Sequence, residues 1–144
     1  MTTALATDPY AVGTTFSRAL VVDDHLVRAF ADLSGDHNPI HLDAAIAATS
    51  RFGQRIAHGA ILSALISRIL GMDMPGIGTV YLSQTCNYRL PVYIGDTVTA
   101  EVTILEVLPK SIANLSTVIT KQTGEVVFDG VAQVKLPGWL FKAV

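Results

Sequence analysis

The sequence is poor in charge, has a single cysteine and lacks a long uninterrupted apolar run, and each shortage excludes something. Charged residues make up 15% of the 144 positions, against roughly 25% in an average domain, while Ala, Val, Ile, Leu, Met, Phe, Trp, Tyr and Cys together reach 50%. That apolar excess has to be buried in a core, a ligand pocket or a subunit interface. A lipid span is not its destination: the most apolar stretch, Ile56 to Ser67, is bounded by Arg55 and Arg68, and a membrane helix needs about 20 residues. Ten Lys and Arg against twelve Asp and Glu leave a net charge of −2, with the basic residues scattered, so the electrostatic footprint of a nucleic-acid binder is missing. One cysteine, Cys86, cannot form an internal disulfide, which points to a reducing compartment, most simply the cytoplasm. Met1 to Thr7 contains no basic residue and no apolar core of secretory type, so no signal peptide is expected.

What is present reads as one domain over residues 13–144, preceded by a loose arm over 1–12. Phe16 to Val22 is a short strand. Asp23 or Asp24 can cap a helix over 24–34, in which Leu26, Val27, Phe30 and Leu33 recur at helical spacing and Gly35 occupies the left-handed position at the end. Pro39 then breaks the pattern and holds Asn38 extended. Asp43 can cap a short helix from Ala44 to Thr49. A third helix, from His58 to Leu70, carries apolar residues nearly all round, as expected of a helix wrapped by protein.

From Gly76 onward the period changes from helical to alternating. Val98, Ala100, Val102 and Ile104 alternate with Thr97, Thr99, Glu101 and Thr103. Val126, Phe128, Ala132, Val134 and Leu136 are expected to face inward, with Val127, Asp129, Val131, Gln133 and Lys135 outward. Thr79 to Tyr88 and Ile112 to Thr120 are further strands, and Thr123-Gly124 is a hairpin turn. Pro75-Gly76-Ile77-Gly78 is a turn, since no dinucleotide-binding context surrounds its two glycines. Helices followed by a run of strands, around one very apolar helix, define an α+β domain with an antiparallel sheet curled over a central helix.

Chemistry concentrates around Pro39. His37, His41 and His58 are three of the four histidines, and Asp36 and Asp43 flank the turn. On counts alone this is a solvated polar loop. Asp36 and His41, however, lie across a proline turn at the outlet of an apolar helix, where a carboxylate and an imidazole can share and deprotonate a water. Burial would raise the Asp pKa and lower the His pKa, while their mutual attraction does the reverse.

Phe30-Ala31-Asp32-Leu33-Ser34-Gly35-Asp36-His37-Asn38-Pro39-Ile40-His41-Leu42-Asp43 resembles the signature of the MaoC-like, (R)-specific enoyl-CoA hydratases. The likeness extends through Ile56-Ala57-His58-Gly59, through 75–82 and through 90–96, and covers about residues 14–137 in unbroken order. The pattern is similar to that of the small single-domain bacterial branch that supplies monomers for polyhydroxyalkanoate synthesis. The resemblance implies a hot-dog fold, a homodimer whose sheets join, and reversible hydration of trans-2-enoyl-CoA to (R)-3-hydroxyacyl-CoA without metal or organic cofactor. It further implies that Asp36 and His41 activate the water, that Asn38 orients the pair, and that the Gly59 N–H binds the thioester oxygen. That last role suits a helix start, whose first N–H groups are unpaired and carry positive dipole charge.

Competing uses of the same residues are weaker. His37 and His41 with Asp36 and Asp43 are a conceivable metal set, but Pro39 between them opposes a regular helical pair. His58 reads as a helix-start or supporting residue. Ser63 and Ser67 are four apart on the apolar helix, where the plain expectation is back-bonding to helix carbonyls; the sharper one is that Ser67 and Leu70 border the acyl pocket. Arg51, Arg55, Arg68, Arg89 and Lys110 are undistinguished as CoA phosphate ligands, His25 reads as a surface residue, and Cys86 as a small packing residue. The alternative functions are a (3R)-hydroxyacyl-acyl-carrier-protein dehydratase, a thioesterase and a non-catalytic acyl-thioester-binding protein.

Overall fold

Two helices of ten or eleven residues and two of about one turn precede most of the sheet, and the first three begin at side-chain caps. In the computed structural model, which describes residues 7–138, β1 (Thr15–Val21) leads into α1 (Asp24–Ser34). Asp23 caps α1 by accepting from Leu26 N at 2.8 Å, and Gly35 closes it at φ 77°. Asn38 caps a single turn, α2 (Pro39–Leu42), and Asp43 caps α3 (Ala44–Ala48) through Ile46 N. Next come α4 (Gly59–Arg68), continued by a π-helical turn over Ile69–Asp73, and then β2 (Val80–Gln84), β3 (Asn87–Tyr88), β4 (Thr97–Leu108), β5 (Ile112–Lys121) and β6 (Val126–Lys135). Of the expected N-terminal arm, residues 1–6 lie outside the described segment; within the rest, Tyr10 packs against the core.

The strands form one antiparallel sheet in the order β1-β4-β5-β6-β2, with β3 also pairing with β6. Its concave face carries Val98, Ala100, Val102, Ile104, Leu115, Ile119, Phe128, Ala132 and Val134, all fully buried, against Ile61, Leu62, Leu65, Ile66, Ile69 and Leu70 of the central helix. This is the hot-dog arrangement. A fork from Arg18 on β1 to Asp73, at 3.0 and 3.1 Å, ties the end of that helix to the sheet. Hydrogen bonding to Arg18 holds the Asp73 carboxyl below its ordinary pKa against the opposing effect of burial. No helix among the described residues is long and apolar enough to cross a membrane.

Three expectations need correction. The strand anticipated over 79–88 divides into β2 and β3, because Thr85 leaves the regular register and clasps Val131: Thr85 N donates to Val131 O at 2.9 Å, and Val131 N donates to Thr85 Oγ1 at 2.8 Å. The alternation of β6 fails at its start: Val127 is buried and Val126 exposed, because the β5 register shifts between Ile119 and Thr120 and inserts one residue opposite. Finally, α4 is not wrapped on every side. Ala60, Ala64, Ser67 and Arg68 stay exposed, so the sheet of one chain covers only the opposite face.

Candidate active site

The loop after α1 carries one half of the site and the start of α4 the other. Because Asn38 Oδ1 accepts from Ile40 N at 3.2 Å, the backbone turns into α2 and presents His41 inward. The Asn38 main-chain N–H reaches back to Asp36 Oδ1 at 3.1 Å and orients that carboxylate. His41 Nδ1 lies 2.7 Å from the main-chain oxygen of Ile56. A carbonyl only accepts, so Nδ1 carries the proton and the Nε2 lone pair of the neutral ring is left free. Nε2 stands 3.9 Å from Asp36 Oδ2. That gap is too long for a direct hydrogen bond, but a water about 2.8 Å from each atom would see them nearly at a right angle, close to the angle between its own two hydrogens. Such a water donates to both and turns its lone pairs away from them.

His58 holds this arrangement from behind. Its Nε2 donates to the main-chain oxygen of Asp36 at 2.9 Å, its ring stacks on His41 with centroids 3.8 Å apart, and Phe30 packs on it at 4.9 Å. Its Nδ1 is buried without a hydrogen-bond partner. Since the His58 ring is turned toward Asp36, no side chain caps α4. The Gly59 N–H, first in the helix, has no intrahelical partner. Gly59 and His58 line a cavity of about 300 Å³ together with Leu62, Tyr88, Arg51 and Arg89. His41, stacked on His58, does not itself line that cavity.

Asp36, His41 and His58 each place one potential ligand atom within 4.8 Å of the others. Nevertheless His41 Nδ1 and His58 Nε2 already donate to carbonyls, and rings stacked at 29° have planes that do not meet within bonding distance of a common ion. The set suits proton handling better than a tetrahedral metal. His37 points elsewhere, 3.2 Å from Asp32. A hydrogen bond to the Gly35 backbone and then Asp32 hold its pKa above the ordinary histidine value.

Several site residues carry no signature in the sequence. Arg55 donates to the main-chain oxygen of His41 at 2.6 Å and to Asp24 at 2.7 Å, clamping α2 to α1. Ser63 does not back-bond to its helix; its hydroxyl meets that of Tyr88 at 2.9 Å. Of the residues expected at an acyl pocket, Ser67 is exposed and Leu70 sits in the core at 1% exposure; the second cavity, also about 300 Å³, is bordered instead by Ser63, Cys86 and β2. Among the arginines, Arg89 is forked onto Asp129 at 2.9 and 3.1 Å, while Arg51 lies over the Phe52 ring at the cavity mouth.

Comparison with known proteins bears on the family and the fold. A family model described as "MaoC like domain" matches residues 9–127. The chain is 49% identical to the (R)-specific enoyl-CoA hydratase of Aeromonas caviae over 77% of this chain and 84% of that protein. Among solved structures, an unliganded R-hydratase from Pseudomonas aeruginosa superposes with a TM-score of 0.86 at 42% identity, covering 88% of this chain and 82% of that one. The A. caviae (R)-hydratase involved in polyhydroxyalkanoate biosynthesis superposes equally well, with a TM-score of 0.86 at 44% identity over 88% of this chain and 97% of that one.

Proposed function

The chain belongs to the MaoC-like domain family, and from that premise we propose that it is an (R)-specific enoyl-CoA hydratase, a hydro-lyase that adds water reversibly to trans-2-enoyl-CoA. The observation that carries this reading is the 3.9 Å spacing of Asp36 Oδ2 and His41 Nε2, with the Nδ1 proton of His41 tied to a carbonyl. A water donating to both atoms directs its lone pairs toward the β-carbon of a bound enoyl thioester. As its oxygen bonds to that carbon, the π electrons move onto the thioester oxygen, where the Gly59 N–H and the helix start meet the developing charge. The proton taken up by the pair returns to the α-carbon as the carbonyl re-forms. Atoms balance without a redox step or a metal.

Two further features belong to this reading. The exposed small-residue face of α4, together with Val80 and Leu82 on the edge strand β2, is where a second copy would complete a homodimer. With its partner seated there, the Ser67 side of the helix would border the acyl site, and Leu70 would back it from the core. The single, exposed Cys86 suits a reducing cytoplasm. We assign a CoA phosphate to Arg51, on the support that it lines the cavity and forms no ion pair among the described residues.

The test is hydration of crotonyl-CoA by the purified protein without added metal, followed by chiral analysis of the product. Asp36→Ala and His41→Ala should each lower kcat by roughly 10²- to 10⁴-fold. Full activity in both would dispose of the mechanism. Light scattering measures the dimer, and faster turnover of the corresponding acyl-carrier-protein thioester would move the assignment to a dehydratase of that class.

A further inference from the structure

A pair of hydroxyls stands between the cavity at Gly59 and a shallow, open groove beside β2. Tyr88 lines the first, with His58, Gly59 and Leu62; Ser63 lines the second, with Tyr81, Leu82, Gln84 and Cys86. The Tyr88 and Ser63 hydroxyls are 2.9 Å apart, so one side-chain hydrogen bond joins the wall of one cavity to the wall of the other. Gly59 and Ser63 stand one turn apart on α4, about 6 Å along its axis. The Tyr88 ring covers that turn: a Cβ built on Gly59 would lie 3.0 Å from its Cδ1. Phe128 also packs on this ring, edge-on at 5.5 Å. The backbone beneath is only the two-residue strand β3, while Tyr88 itself remains half exposed.

We propose that the Tyr88–Ser63 bridge is a partition that sets the acyl length this site accepts. The inference rests on the hydratase reading above, which places the thioester oxygen at Gly59. From that point a short acyl group fits within the first cavity, whose 300 Å³ is at the lower end for ligand pockets. A longer tail running along α4 meets the phenol ring before it reaches the apolar space beside Ser63 and Cys86. Breaking the bridge lets the ring swing from the helix and joins the two volumes into one channel of roughly twice the size. The hydrogen bond is half exposed and easily replaced by water, so the partition discriminates by degree.

The experiment compares kcat/KM for crotonyl-, hexenoyl-, octenoyl-, decenoyl- and dodecenoyl-CoA across wild type, Tyr88→Ala, Tyr88→Phe and Ser63→Ala. Tyr88→Ala is expected to raise the dodecenoyl-to-crotonyl ratio by roughly tenfold or more, through a lower KM for the long substrates. Tyr88→Phe and Ser63→Ala, which remove only the hydroxyl contact, should shift it in the same direction by less, and they decide the matter if Tyr88→Ala does not fold. An active wild type with an unchanged chain-length profile in the folded variants overturns the partition alone. A wild type that hydrates no member of the series overturns the hydratase reading and the partition with it.

Discussion

His58 Nε2 donates to the main-chain oxygen of Asp36 across a 2.9 Å contact that joins residues 22 apart in the chain. This bond, with the ring stacked on His41, makes His58 a positioning residue for both members of the proposed acid–base pair. His58→Ala should lower kcat by about 10- to 100-fold with little change in KM, and should cost about 1–3 kcal/mol of stability by orphaning a carbonyl beneath a vacated space. His58→Gln, which restores a donor, should recover more activity than His58→Ala. Steady-state kinetics and denaturant unfolding measure both effects; a larger change in KM than in kcat would place His58 in substrate binding instead.

A methyl group on Gly59 would crowd the Tyr88 ring, 3.0 Å from its Cδ1. Gly59→Ala is expected to displace that ring and lower activity at least tenfold, while stability changes by less than about 1 kcal/mol, since alanine's better helix propensity offsets crowding. Combining Gly59→Ala with Tyr88→Ala should restore part of the lost activity. Additive losses in that double-mutant cycle would show that the two side chains do not interfere.

Gly130 faces a harder constraint: its Cβ would lie 1.8 Å from the Thr85 carbonyl oxygen. Backbone cannot move aside as a flexible side chain can. Gly130→Ala should therefore destabilise the fold by about 3 kcal/mol or more and loosen the clasp between Thr85 and Val131, measurable as a lowered Tm and faster amide exchange at Val131.

The acid limb of the stability profile should be set by carboxylates that are paired in the fold. Burial pushes the Asp96 pKa upward, but hydrogen bonds from Gln122 and the Tyr93 main chain, with Lys121 nearby, bring it below the ordinary 3.8. Hydrogen bonds from Arg18, Arg55 and Arg89 likewise lower Asp73, Asp24 and Asp129. A depressed folded-state pKa means that the unfolded chain binds protons first as acid is added. Stability from these groups is present above pH 3.8 and is lost as pH falls through their lower folded values. Thermal melts across that range should show a steep decline, and Asp96→Asn should flatten it.

Local chemistry was legible in the sequence. Asp23, Gly35 and Asp43 act within a turn of their own positions, so caps and helix ends follow from neighbours alone. The alternation of β4 marks its buried face for the same reason, and the Asp36 to Asp43 stretch carries its resemblance in consecutive residues. What the tertiary structure decided depends on chain segments meeting far from one another in sequence. Arg55 on the His41 carbonyl, His58 on the Asp36 carbonyl and Tyr88 on Ser63 span 14, 22 and 25 positions, separations at which residue spacing carries no directional information. The inserted residue at Val127 reversed an expected face because one extra residue flips every side chain before it in a period of two. The apolar excess also found its place only in three dimensions: the sheet absorbs one side of α4, while the other stays open in a single chain because this sheet ends at the edge strands β1 and β2 and does not close around the helix.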